Sequence, residues 1–342
     1  MKRVEQQRKI RGAYCAVYTP ATPDAFEVDY TKLREQLRFI MEGGVHGDRG
    51  VIMLAGGAGE GYFLTDEQWS KSIKILAEEC HGKIATMAGV FDRGSKGAIE
   101  KIKYAESLGI DLIQLGLPHN QGPADQEIHT FFSLIDRATS RIGIILYHTH
   151  WDFSSYDPHY QIGMALLEKL TELDSVVGVK WHTKSVELFV DALLKFGDKV
   201  SFVDNAGWVT RTKANPFGIK AFMAPPANWD PKRTIEAINL WSASKWKEFA
   251  EFNSVLAAPK AAVIRASQEE LYGGPTPARW ENGAANRLVY SLGEGTVNKA
   301  IMDVMGRPIG PALHPQYQLS EATKQRAREY LREGKNLVET TF

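Results

Sequence analysis

The chain has 342 residues, 44% of them hydrophobic, with 41 Lys and Arg against 41 Asp and Glu, enough for a large core in one α/β domain or two smaller ones. A formal net charge of zero gives no electrostatic case for nucleic acid or an anionic membrane, and no apolar run approaches the roughly 20 residues of a membrane span. The polar, basic opening "MKRVEQQRKIRGAY" has no signal-peptide core, and Cys15 and Cys80 form no C-x-x-C pair, so they read as reduced thiols of a cytoplasmic protein rather than a zinc cage or disulfide scaffold.

After an N-terminal extension (1–11), β-like runs alternate with amphipathic helical stretches. The strands expected are 12–20, 50–56, 84–90, 111–118, 142–149, 176–183, 200–207 and 219–226. The first helix, 29–44, shows Leu33, Leu37, Ile40 and Met41 at helical spacing before a double-glycine stop. The second, 65–80, opens on Thr65 with Glu67 as the carboxylate of a rough capping arrangement. Further helices are expected at 94–108, 124–139, 160–173 and 184–196, while 208–216 signals its helix poorly. Past residue 226 the pattern turns helical, at 229–256, 257–271, 286–305 and 319–336, with 272–287 as a loop.

Strict strand–helix alternation means a parallel sheet. Eight such units suit a closed (β/α)8 TIM barrel, which typically takes roughly 250 residues. The competitor, a doubly wound open sheet, lacks its G-x-G-x-x-G after the first strand. The expected organisation is a barrel over 12–243 with additional C-terminal helices in 244–342.

In such barrels chemistry sits at the C-terminal ends of the strands. The second strand runs into "AGGAGEGYFLT", where Gly56, Gly57 and Gly59 form either an anion-cradling turn or a plain tight turn. The fifth ends in "ILYHTHW". There Tyr147 could relay a proton or simply pack, and His148 and His150 share the other face without a third metal ligand, so no metal is expected. The sixth, "VVGVKWHT", ends a buried apolar run on Lys180, with His182 two residues on. Burial lowers a lysine pKa, and a free amine attacks carbonyls. The bland reading is a lysine paired to Glu60 or Asp204. Asp204 and Ala224 stand near the ends of the seventh and eighth strands.

These residues are similar to the dihydrodipicolinate synthase / N-acetylneuraminate lyase family of class I aldolases and dehydratases. The resemblance rests on "YTPATPDAFEVDYTKL", "GGAGEGYFLTDEQ", "LPHNQGPADQEI", "IILYHTHW", "VVGVKWHT" and "MGRPIGPALHPQYQLSEATKQ", in the family's order and over nearly the whole chain. It implies a Schiff base on Lys180, Tyr147 as proton relay, and the Gly57 and Ala58 amides holding a substrate carboxylate. Gly56, Asn120, His182, Asp204 and Ala224 are the other expected substrate-binding positions. It implies a 2-oxo acid substrate, a homo-oligomer (dimer or tetramer), and no separate cofactor. The chain departs from the family at three points. Its paired threonines are Gly57 and Ala58 here, its second relay tyrosine is Asn120, and its substrate-binding arginine falls on Asp152. His119, His182 or a water would then complete the relay. The expected function is a lyase, either an aldolase releasing pyruvate or a dehydratase of a 2-keto-3-deoxy sugar acid. Trp151, Trp181 and Trp208 near strand ends would suit an aromatic aldehyde or pack as a lid. Dihydrodipicolinate synthesis proper and a catalytically inactive 2-oxo-acid binder are the alternatives.

Overall fold

The structure, a computed structural model, describes residues 2–92, 94–118, 123–149, 162–182, 185–205, 218–272 and 293–333. Its short apolar runs become eight strands, β1 (Gly12–Ala16), β2 (Gly47–Leu54), β3 (Ile84–Val90), β4 (Leu112–Gly116), β5 (Gly143–Thr149), β6 (Val176–His182), β7 (Ser201–Asp204) and β8 (Ala221–Met223). Each pairs in parallel with the next, and β8 closes on β1, so the sheet is a barrel. The helices α1 (Lys2–Lys9), α2 (Tyr30–Glu42), α3 (Asp66–Cys80), α4 (Ser95–Ser107), α5 (Asp125–Ala138), α6 (Met164–Thr171) and α7 (Val186–Phe196) follow in chain order. Then come α8 (Pro231–Ser242), α9 (Trp246–Tyr272), α10 (Glu294–Val304) and α11 (Glu321–Glu333). Among the described residues no helix is long and apolar enough to cross a membrane.

The strands are apolar on both faces because both are buried. Tyr14, Val51, Met53, Met87, Leu112, Ile145 and Val203 fill the lumen. Their neighbours Cys15, Ile52, Leu54, Ala88, Ile113, Leu146 and Phe202 join the larger core beneath the helices. Each fully buried Leu or Ile of α2 contributes roughly 1.5–3 kcal/mol to that core. Asp29 caps α2 by accepting from the Lys32 N–H. At α3 the expected cap is corrected. A reciprocal box forms between Thr65 and Gln68, so a neutral amide and not Glu67 reaches back to the cap. At the N-terminal end of the barrel Lys9 pairs with Asp111 at 2.5 Å and Ile10 is buried against Gly178, closing the lumen from below.

One irregularity decides where β6 points its side chains. Ile144 pairs with Val176, but Ile145 pairs with Gly178, so Val177 is an extra residue, a β-bulge. Beyond it the alternation resumes with Val179 and Trp181 in the outer core and Lys180 on the lumen side. A strand without the bulge would turn Lys180 towards the helices.

The C-terminal helices differ from expectation. The break expected near 256 lies at 243–245, where Ser244 has a φ of 56°, and α9 runs on through Pro259. Ala261, Ala262, Val263 and Ile264 of α9 pack with Val297, Ile301 and Met302 of α10 and with Ala327 and Tyr330 of α11. This second core takes in Tyr18 from the barrel mouth, and its burial outweighs the hydrogen bond that Pro259 cannot donate.

Candidate active site

Tyr147 and Lys180 stand side by side on β5 and β6, in register, near the C-terminal ends of their strands. Both are almost fully buried, at 5% and 4% exposure. The Lys180 Nζ lies 4.2 Å from the centre of the Tyr147 ring and 5.5 Å from that of Tyr14. Tyr14 forms the floor beneath it. Its hydroxyl donates to Gln114 Oε1 at 2.7 Å, with Met87 Sδ at 2.8 Å. Burial holds the Tyr14 phenol well above its ordinary pKa, so it stays protonated. Tyr147 continues into an aromatic wall, edge-on to Phe91 at 5.9 Å, which in turn meets Tyr62 at 4.2 Å.

The turn after β2 packs on the lumen core through Ala58. Ala55 and Glu60 both have left-handed backbone, at φ 56° and 58°, and between them Gly57–Gly59 forms one 3-10 turn. Gly61 has to be glycine, since a Cβ there would stand 2.0 Å from the Ala55 carbonyl oxygen. The Gly56 carbonyl accepts from the Gly59 and Gly61 amides. The Gly57 and Ala58 amides donate to no carbonyl among the described residues, as expected at the start of a helical turn. Thr19 donates to the Gly59 carbonyl and Asn298 Nδ2 to that of Ala58, at 2.5 and 3.1 Å.

Glu60 is not the partner of Lys180. Its carboxylate is buried in the C-terminal helices, where it accepts from the Leu313 amide at 2.7 Å and Gln316 Nε2 at 2.6 Å, with Lys299 Nζ at 3.1 Å. Gln316 Oε1 in turn accepts from the Gly295 amide at 3.0 Å. A Cβ on Gly293 or on Gly295 would stand 2.5 Å from Gln316 or Glu60, so these two glycines let α10 begin pressed against the turn.

Between those glycines stands Glu294, which the sequence reading missed together with Lys260 of α9. Glu294 Oε2 lies 3.4 Å from where a Cβ on Gly57 would be, with the Tyr62 ring at 3.2 Å from the same point. The carboxylate therefore sits over the glycine turn. Burial pushes its carboxyl above the usual pKa, opposed by the charges of Lys260 and Lys180. Burial pushes the Lys260 ammonium down, opposed by Glu294. The Tyr18 phenol, raised chiefly by burial and then by Glu294, is the neutral group beside them. The signals were present: "GEG" sets a carboxylate between two glycines, and "AAPKAAVI" strands one lysine in an apolar run.

The structure thus brings together Lys180, Tyr147, Gly56, Gly57 and Ala58, and adds Glu294 and Lys260. It does not bring in Asp204 or Ala224. Asp204 pairs in register with Trp181 and Phe222 on the face toward the helices. Ala224 packs in that outer core, its amide donating to the Tyr14 carbonyl at 3.0 Å. The same alternation corrects Trp181, which lies under α7 against Phe189 at 6.3 Å and not at the mouth. His148 pairs with Trp181 on the outer face and is buried there. His182 ends β6 opposite Thr149. Its side chain, and His119, Asn120, His150, Trp151, Asp152 and Trp208, lie outside the described residues. Among the described residues no three His, Cys, Asp or Glu side chains are grouped to hold a metal.

A closed parallel barrel with a lysine and a tyrosine at the C-terminal ends of its strands is the scaffold of a barrel enzyme. The chain belongs to the dihydrodipicolinate synthetase family, whose profile matches residues 9–267. It is 26% identical to the 4-hydroxy-tetrahydrodipicolinate synthase of Methanothermobacter thermautotrophicus over 235 residues, 68% of this chain and 79% of that protein. To the enzyme of the same name from Clostridium perfringens it is 29% identical over 191 residues, 56% of this chain and 62% of the other. In fold it is similar to dihydrodipicolinate synthase from Oceanobacillus iheyensis, with a TM-score of 0.76 and 18% identity over 98% of this chain and 99% of that one. N-acetylneuraminate lyase from Mycoplasma synoviae gives 0.73 and 19% over 95% and 97%.

Proposed function

We propose that the protein is a Schiff-base-forming lyase acting on a 2-oxo acid, with Lys180 as the covalent residue. The observation that carries this reading is the placement of Lys180, buried in the lumen in register with Tyr147 and with its Nζ over the Tyr147 ring. In this reading the Gly57 and Ala58 amides hold the substrate carboxylate, and that grip sets the keto carbon before Nζ. The amine adds to the carbonyl, Tyr147 passes a proton to the departing oxygen, and water leaves. The protonated imine is then the electron sink for bond cleavage beside it, with no separate cofactor. Pyruvate-releasing aldol cleavage and dehydration of a 2-keto-3-deoxy sugar acid share these steps. The packing of Trp181 under α7 removes one of the three tryptophans that favoured an aromatic aldehyde. Dihydrodipicolinate synthesis proper is supported by the names of the relatives, while Asp152 stands where the resemblance expects an arginine. An aspartate cannot grip a second carboxylate.

The test is borohydride trapping with pyruvate, read by peptide mass spectrometry. A reduced pyruvyl adduct on Lys180 is the expected result. Pyruvate binding without an adduct across the pH range would overturn the reading in favour of a binding protein.

A further inference from the structure

We propose that Glu294 is the acid–base group of this site, taking the proton from the carbon beside the imine and returning it. The inference rests on the Lys180 imine of the preceding reading. An imine-forming lysine does half of the chemistry. To become an enamine the imine must lose a proton from C3, and a base has to stand within reach of that carbon.

Among the described carboxylates around the lumen the choice is narrow. Asp204 is on the helix side of β7, and Glu60 is consumed by Leu313, Gln316 and Lys299. Glu294 remains. It overhangs Gly57, and the charge of Lys180 reaches it. Glu294 is only partly buried and makes no hydrogen bond within the described residues. The absence of a side chain at Gly57 is what lets the carboxylate come so near the turn. Its burial weakens the acid and so strengthens the base, opposed by the charges of Lys260 and Lys180.

The step balances without an outside reagent. Lys180 Nζ adds to C2 and the carbonyl oxygen leaves as water. Glu294 then takes the C3 proton as the C–H pair becomes a C2–C3 double bond and the C2–N π pair returns to nitrogen. Returning the proton, or attack of the enamine on an electrophile, completes the cycle.

The experiment pairs two readouts on the full chain with pyruvate as probe. The first is the borohydride adduct on Lys180, and the second is exchange of the pyruvate methyl protons in heavy water, followed by NMR. In Glu294→Gln the adduct should persist while exchange falls roughly 10²- to 10⁴-fold. Exchange at the wild-type rate in a variant that still forms the adduct overturns this proposal and spares the imine reading. Loss of the adduct in step with exchange assigns Glu294 to imine formation or to the fold, which also overturns it. Absence of the adduct in the wild type overturns the imine reading itself. For Lys260 the readout is a pH profile of exchange. The groups facing Glu294 are Lys180 on β6, Lys260 on α9, Tyr18 after β1 and Tyr62 in the turn. Removing one cation by Lys260→Met should move the acidic limb to higher pH, and an unmoved limb assigns that limb to a group other than Glu294 and overturns the proposal.

Discussion

Two glutamate–lysine sets stand where the C-terminal helices meet the turn after β2, one buried and one only partly so, and they are built differently. Glu60 and Lys299 are closed: the carboxylate has Leu313, Gln316 and Lys299 around it, and the ammonium also donates to the Pro311 carbonyl at 2.8 Å. Glu294 and Lys260 are open: each feels the other's charge, and neither makes a hydrogen bond within the described residues. A saturated buried pair has no capacity left for a substrate, whereas an unsaturated one at a cavity is costly unless something uses it. Gln316 links the two, accepting from Gly295 while donating to Glu60. The closed set therefore fixes the place from which the open one works.

The largest effect expected from this difference is on stability. Glu60→Gln removes the charge that offsets a buried Lys299, and breaking such a pair from one side costs roughly 3–5 kcal/mol. Lys299 is already pushed below its ordinary pKa by burial, opposed by Glu60. Glu294→Gln should lower the unfolding free energy, read from urea titration, by no more than about 1 kcal/mol, the usual range for a site outside a packed network. Equal losses in the two variants would erase the distinction and make both sets structural.

Gly57→Ala sharpens the comparison by pushing on one set alone. The new Cβ would meet the Tyr62 ring at 3.2 Å and Glu294 Oε2 at 3.4 Å, with no Glu60 side-chain atom among its nearest neighbours. Both neighbours can give by a few tenths of an ångström, so folding should be preserved. Catalysis is less tolerant of displacement. Methyl exchange in pyruvate should fall roughly tenfold, with the melting temperature held within the few degrees that about 1 kcal/mol represents. A variant with full exchange would place the working carboxylate elsewhere.

Much of this was legible in the sequence, and the failures have physical causes. Eight apolar runs at steady spacing announced the barrel, because strands buried on both faces have to be apolar throughout. Lys180 stood out for the same reason, as a charge in such a run. What the run could not reveal is its parity. The single extra residue at Val177 decides whether Lys180 or Trp181 faces the lumen, and nothing in "VVGVKWHT" marks the bulge except Gly178. Asp204 and Trp181 were misplaced because only register assigns a face. Glu294 and Lys260 were missed because attention stayed on strand ends, while the chain delivers them from helices far beyond the barrel. The helix boundary expected between 256 and 257 is absent, because the packing of Ala261, Ala262 and Val263 carries the helix through Pro259.

A carboxylate on the solvent side supplies the scale for both sets. Glu79 receives Arg38 at 2.8 Å through both nitrogens and Arg34 at 2.9 Å. The Arg38 bonds, with Arg34 behind them and burial opposing, hold its carboxyl below the usual range. Arg38 is more than half exposed, so the contribution should be only about 0.5–1 kcal/mol. Its sign follows from linkage. A carboxyl with a depressed folded pKa stabilises above the unfolded value of about 4.3, and that stabilisation is lost as pH falls through the folded pKa. The urea-midpoint gap between wild type and Glu79→Gln should therefore shrink from about pH 7 to about pH 3, and shrink again in roughly 1 M salt, where charges are screened within about 3 Å. The Glu60→Gln gap, sealed from solvent, should keep its size in the same salt. If both gaps respond alike, water reaches Glu60, and the contrast between a closed and an open set loses its basis.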